Sequence, residues 1–215
     1  AAMEDANGVD LQQFRRWYGQ SGTPELHIRG SHDPEAKTYS LTVRQSCPDT
    51  AGQKGFGAEK SKNDVHEKQT APVEIQNSKQ NAHHSFQKQP FHIPLALGLL
   101  AADGDTLPLK LTGCTAEKNQ DTIILELRKQ SEIFVFENIP AAPVPSLLRG
   151  FSAPVKLLFD YSIADLAFLL ANDTDEFNRW EAGQQLMIRI SLEQIQRFQN
   201  HEPFNLPSEL ENAFR

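Results

Sequence analysis

Histidine followed by glutamate is the pairing that builds a hydrolytic zinc centre, and it occurs at His66-Glu67 and at His201-Glu202. A zincin helix needs a second imidazole four residues after the first, so that both face one metal. Those positions hold Thr70 and Asn205, and no two of the seven histidines stand four apart. His83-His84 lie in a polar stretch and read as solvated side chains. A phosphate cradle is the next possibility, at GQKGFGAEKS from Gly52 to Ser61. A P-loop requires glycine immediately before Lys60, where Glu59 stands, and a dinucleotide fingerprint requires glycine at position 60 itself. The third is a nucleophile at Ser21. Its elbow motif requires glycine where Thr23 stands, and it requires a strand before the serine and a helix after it, the reverse of the pattern here. Asp173, Asp175 and Glu176 are explained by helix capping, and Asp103 and Asp105 flank Gly104 in a hairpin turn.

The elements that would position such residues fall into three regions. Asp10 is placed as a helix N-cap, with Gln13 to complete a capping box and Val9 to staple against Phe14. A helix of about two turns is expected from Leu11, with Phe14 and Trp17/Tyr18 on one face and Gly19 as its stop. From Glu25 to Asp160 the apolar period is two. Tyr39, Leu41 and Val43 alternate with Thr38, Ser40, Thr42 and Arg44, and Phe91, Ile93, Leu95, Leu97 and Leu99 alternate with His92, Pro94, Ala96, Gly98 and Leu100, so both read as strands with one buried face. Further strands are expected over 26–30, 107–111, 122–128, 133–138 and 155–160, divided by turn signals such as HDPEA, AADGD and EKNQD. Seven short strands with antiparallel-type connections predict a β-sandwich. Residues 49–90 are dominated by Gln, Lys, Asn, Ser, Gly and His and read as a long polar loop, mobile unless Phe56, Val73, Ile75 or Phe86 anchors it.

After Asp160 the period returns to 3.6. Ser162 with Asp165 caps one helix, and Asp173 with Glu176 is read as the box opening a long amphipathic helix from Asp175 to about Asn200. A third helix is expected near Pro207. The predicted organisation is therefore 1–24 as a linker helix, 25–160 as the sandwich and 161–215 as the start of a helical region.

Composition narrows the function classes. A formal charge of -7 gives no field for steering toward phosphate backbones, so nucleic acid is not an expected partner. The longest apolar run, 93–102, is about half the ~20 residues of a membrane helix, and no signal peptide is visible. Two cysteines, Cys47 and Cys114, in so long a chain fit reduced thiols and a cytoplasmic setting.

Three stretches go beyond this. MEDANGVDLQQFRRWYGQSGTPEL resembles the end of the catalytic domain and the start of the next domain in bacterial aminopeptidase N, the gluzincin-type alanyl aminopeptidases. The element Trp17-x-x-Gln20-x-Gly22-x-Pro24 is similar to that junction across the wider family. PVPSLLRGFSAPVKL (143–157) and DTDEFNRWEAGQQL (173–186) follow in the family's order, the latter resembling the opening of its helical C-terminal domain. The resemblance implies an internal segment: the catalytic domain's last residues (1–24), an immunoglobulin-like sandwich domain (25–160, with loop 49–90) and the first helices of the C-terminal domain (161–215). It implies a parent that releases N-terminal amino acids from peptides with one zinc ion, a glutamate serving as general base. The family's HExxH and GxMEN motifs do not occur. AAMED at Ala1–Asp5 has alanine in place of the glycine and Asp5 in place of the final asparagine. No catalytic, cofactor-binding or metal residue is therefore assigned in this chain, and zinc is expected only in the parent. The expected partners are the parent's catalytic and helical domains, with peptide substrates reached only through the parent. The leading expectation is a non-catalytic spacer; the alternative is a self-contained β-sandwich module binding a protein or carbohydrate. The frame of the gene separates the two, since a spacer requires an upstream HExxH and further downstream helices.

Overall fold

The computed structural model describes residues 8, 10–57, 86–113, 121–208 and 210. A short helix, α1 (Arg16–Gly19), precedes nine strands: β1 (Glu25–Asp33), β2 (Thr38–Ser46), β3 (Gln53–Lys54), β4 (Phe86–Gln87), β5 (Ile93–Leu100), β6 (Ile123–Leu127), β7 (Ser131–Glu137), β8 (Val144–Leu147) and β9 (Lys156–Leu158). A 3₁₀ turn at Arg149–Phe151 follows β8, and helices α2 (Ile163–Asn172) and α3 (Glu176–Gln199) follow β9.

Two sheets face one another, one ordered β7-β2-β1-β9 and the other β6-β5-β8, with β3-β4 as a small outlying pair. Period-two patterning explains which side chains meet between them. Leu26 and Ile28 of β1 and Tyr39, Leu41 and Val43 of β2 are buried, as are Ile93, Leu95, Leu97 and Leu99 of β5 and Leu125 and Leu127 of β6. Burial of such side chains contributes about 1.5–3 kcal/mol each before ordering entropy is subtracted. Pairing is antiparallel except at β1-β9 and β3-β4, which are parallel. In the first of these Glu25 lies beside Lys156, and Lys156 N–H donates to the Pro24 carbonyl over 2.9 Å.

The polar loop is anchored at its start. Phe56 and Cys47 exchange two backbone hydrogen bonds of 3.0 Å and Phe56 packs on the core, whereas Phe86 is exposed. Val73 and Ile75 lie outside the described residues.

Several expectations need correction. β8 lies in a proline-bearing stretch with no alternating signal, and it nevertheless pairs with β5 from Leu97↔Leu147 to Leu100↔Val144. Residues 107–111 form only an isolated bridge, Leu111↔Phe136. The N-terminal helix is a succession of tight turns ending in four helical residues, because Gln13 does not cap it. Its side-chain amide is drawn instead to the Pro90 and Arg128 carbonyls, 3.2 and 2.6 Å away. The Ser162–Asp165 capping box forms as expected, with reciprocal bonds of 3.0 and 2.9 Å. Asp175 caps α3 through Asn178 N–H at 2.9 Å, which leaves Asp173 for another role.

Candidate functional site

The side chains considered for catalysis do not converge. Ser21 Oγ bonds Thr50 Oγ1 at 2.6 Å and Gln53 Oε1 at 3.1 Å, with no imidazole among its partners in the described residues. The Gly52–Gly57 turn is already occupied by a carboxylate of this chain. Asp49 takes the Gly55 N–H at 2.7 Å and the Lys54 ammonium at 2.8 Å, and that ammonium, followed by the amide, holds its carboxyl below the usual range. His201 ends α3 in a left-handed turn. His92 bonds Glu126 through Nε2, His32 Nε2 meets the Ile139 carbonyl at 2.9 Å, and His27 Nε2 lies 3.4 Å from Ser46 Oγ. His66, His83, His84 and Cys114 lie outside the described residues.

What the structure does assemble is two polar joints. The first is built on the segment from Lys88 to His92, which runs into β5 without a strand beside it. Its backbone groups must still be satisfied, and side-chain amides do so. Gln20 exchanges two bonds with the Gln89 backbone, of 2.9 and 2.6 Å. Gln45 does the same with Phe91, at 2.9 and 2.8 Å, and reaches the Lys129 carbonyl as well. Arg16 and Gln13 donate to Pro90 O, and Trp17 Nε1 donates to His92 O at 2.9 Å while its ring packs on Phe91, centroids 4.7 Å apart. Beneath them Lys88 is 1% exposed, its ammonium donating to the Pro48 carbonyl at 2.5 Å and lying 3.7 Å from Cys47 Sγ. Burial pushes the Cys47 thiol up, against the opposing pull of that ammonium. The thiol faces the Ser21 carbonyl at 3.7 Å, and Gly22, at φ +90°, brings the chain past both groups where a side chain would not fit without strain.

The second joint fastens strands to helices. Arg149 extends from the 3₁₀ turn over Gly98 of β5, where a Cβ would stand 2.5 Å from the guanidinium carbon. Its Nε donates to Ser146 Oγ at 2.8 Å, Nη1 to Thr122 Oγ1 at 2.8 Å, and Nη2 to Asp173 Oδ1 at 3.0 Å. Asp173 is itself 2% exposed. Asn178 of α3 donates back to Ser146 Oγ and the Leu147 carbonyl, and Asp175 accepts from Gly150 N–H at 3.0 Å. Tyr161 donates to the Pro145 carbonyl at 2.7 Å, and burial raises its phenol above the ordinary range. Sequence reasoning missed Arg149 altogether. The available signals were an arginine in an apolar stretch with no nearby acid, and a glycine within the apolar run of β5.

Each of the stretches carrying the family resemblance thus contributes side chains to these joints. Comparison with known proteins agrees. Aminopeptidase N of Escherichia coli is 35% identical over 214 residues, covering 100% of this chain. The chain is aminopeptidase N-like along its whole length. The Haemophilus influenzae aminopeptidase N is 36% identical across 99% of it, and the Caulobacter vibrioides protein 37% identical across 86%. The chain spans only 20%, 20% and 16% of the length of these three relatives. Residues 58–160 match a domain of unknown function (DUF3458) with an Ig-like fold, and 163–215 match its C-terminal companion (DUF3458_C) of ARM repeats. A crystal structure of Legionella pneumophila aminopeptidase A in complex with aspartic acid superposes with a TM-score of 0.66 at 25% identity, over 99% of this chain and 18% of that one. The fold of this aminopeptidase N-like segment is accordingly an Ig-like sandwich followed by ARM-like helices.

Proposed function

We propose that this segment is a non-catalytic structural spacer within a zinc metallo-aminopeptidase whose whole chain releases N-terminal amino acids from peptides. In this reading residues 1–24 close the peptidase domain, 25–160 form the spacer, 161–215 open the helical domain, and the parent works in the cytoplasm. The observation that carries it is the second joint. A charged pair buried between strands and helices, with Ser146 and Thr122 accepting from the Arg149 guanidinium and Asn178 of α3 donating to Ser146, fastens the sandwich to the helices and supports a fixed angle between them. The described residues do not fit a zinc site, since no three His, Cys, Asp or Glu side chains converge on one point.

In an assay of the purified chain supplied with zinc, an alanyl chromogenic substrate is expected to remain uncleaved and zinc to stay substoichiometric. Sustained turnover by this chain would overturn the proposal.

A further inference from the structure

The turn after β8 holds two bulky residues in left-handed backbone, Leu148 at φ +62° and Phe151 at φ +52°. That conformation is unfavourable for any residue with a Cβ, and it persists only where neighbouring structure imposes it. Here the Arg149 anchor and the Gly150 N–H bond to Asp175 impose it. The outcome is an aromatic ring turned toward solvent. Phe151 is 50% exposed, its ring centroid lies 5.4 Å from that of Phe177 on α3, and the exposed Trp180 ring lies 6.1 Å beyond Phe177. Strain that ends in a half-exposed phenyl is not offset by burial within this chain.

The same rings border a groove of about 390 Å³ between α3 and β9, beside the second joint. Val155 and Leu158 give it an apolar wall. Phe177, Glu181 and Gln185 recur at four-residue spacing, so they line the opposite wall as one ridge of α3. Gln185 Nε2 donates to Glu181 Oε1 at 3.0 Å, and the Glu181 carboxylate has no ion-pair partner among the described residues. Lys156, the cation lining the groove, is engaged by Glu25 at 3.2 Å. Aromatic faces, an apolar wall and one carboxylate without a counter-charge thus meet in a chain of formal charge -7. We infer that this groove receives an arginine side chain of a partner polypeptide, its aliphatic stem against Val155 and Leu158, its guanidinium over the Phe151 and Phe177 rings and paired with Glu181. A guanidinium is planar and weakly hydrated, so it stacks on aromatic faces and pairs with a carboxylate at once, which an ammonium does less well. A wholly apolar occupant would strip water from Glu181 and return no partner. This site is independent of the spacer role.

The test is an NMR titration of the ¹⁵N-labelled chain with the peptide acetyl-Gly-Arg-Gly-amide, and separately with its citrulline and leucine counterparts, at constant ionic strength. Saturable shifts of the Phe177 and Glu181 amides and of the Trp180 indole N–H are expected with the arginine peptide, and at least about tenfold weaker binding with the two uncharged ones, the loss of one charge-assisted contact. Glu181→Gln keeps the acceptor for Gln185 and should weaken the arginine peptide about tenfold while leaving the citrulline peptide unchanged. Phe151→Asn suits the left-handed backbone, so it should raise the thermal midpoint and yet weaken arginine binding, which separates loss of the site from loss of the fold. Unsaturated shifts with the arginine peptide, equal midpoints for all three peptides, or arginine binding that ignores Glu181→Gln would overturn the assignment.

Discussion

Arg149 Nη2 lies 3.0 Å from Asp173 Oδ1, and neither residue is more than 6% exposed. The pair joins the turn after β8 to the residue just ahead of α3, 24 positions along the chain. Removing one partner leaves a buried charge uncompensated, at a cost of about 3–5 kcal/mol. Asp173→Ala is therefore expected to lower the urea midpoint by that equivalent, while Arg149→Met combined with Asp173→Leu recovers most of it. A double variant as unstable as the single one would show that the joint depends on the pair itself.

Gly98→Ala tests the space above β5. The added methyl meets the Arg149 guanidinium, which is held by several bonds and cannot swing away freely. Overpacking of this kind costs about 1–3 kcal/mol. In an Arg149→Met background the same substitution should cost markedly less, so thermal unfolding of the four-member cycle measures the coupling.

Gln45→Ala would remove the only described partners of the buried Phe91 N–H and carbonyl. Each orphaned group costs about 1–3 kcal/mol. Gln20→Ala should be milder because its site is nearer solvent, but it should speed proteolysis between Gly19 and Pro24. Equal protease resistance in variant and wild type would count against the amide pairing as the fastening.

Alkaline pH should destabilise the fold earlier than a chain with exposed thiols and phenols. Burial raises Cys47, Tyr39 and Tyr161 above their ordinary values. The unfolded groups lose protons near about 8.5 for the thiol and about 10 for the phenols. Above those values the unfolded state binds fewer protons than the native one, so stability is full below them and declines as pH rises. Denaturant midpoints from pH 8 to 11 should fall, and the fall should shrink in Tyr161→Phe. In a Cys114→Ser background, Cys47 should resist iodoacetamide until the protein unfolds.

How much of this was visible beforehand depended on range. Alternation in β2 reports local burial, and the Ser162–Asp165 box is closed within three residues, so both agree with the sequence; β5 forms as expected but is buried on both faces, not one, because Ala96, Gly98 and Leu100 are covered as well. Gln13 and Asp173 had the right spacing for caps, yet distant partners took them: the carbonyls of Pro90 and Arg128 for one, the guanidinium of Arg149 for the other. β8 was hidden by Pro143 and Pro145, which erase the strand pattern without preventing pairing near a sheet edge. Nothing local marks Gln45 as a substitute for a missing strand, because the need arises only when Phe91 is brought beside it.

The side-by-side run of β1 and β9 has a mechanical meaning. Glu25 and Lys156 lie level on parallel strands, so tension drawing the segment before β1 away from the segment after β9 acts along both strands in opposite senses. The bridging bonds are then strained together in shear and cannot open in succession like a zip. The pairing spans only Glu25–His27 and Lys156–Leu158, but it stands where the two ends of the sandwich would be pulled, and it shares that load across its whole length.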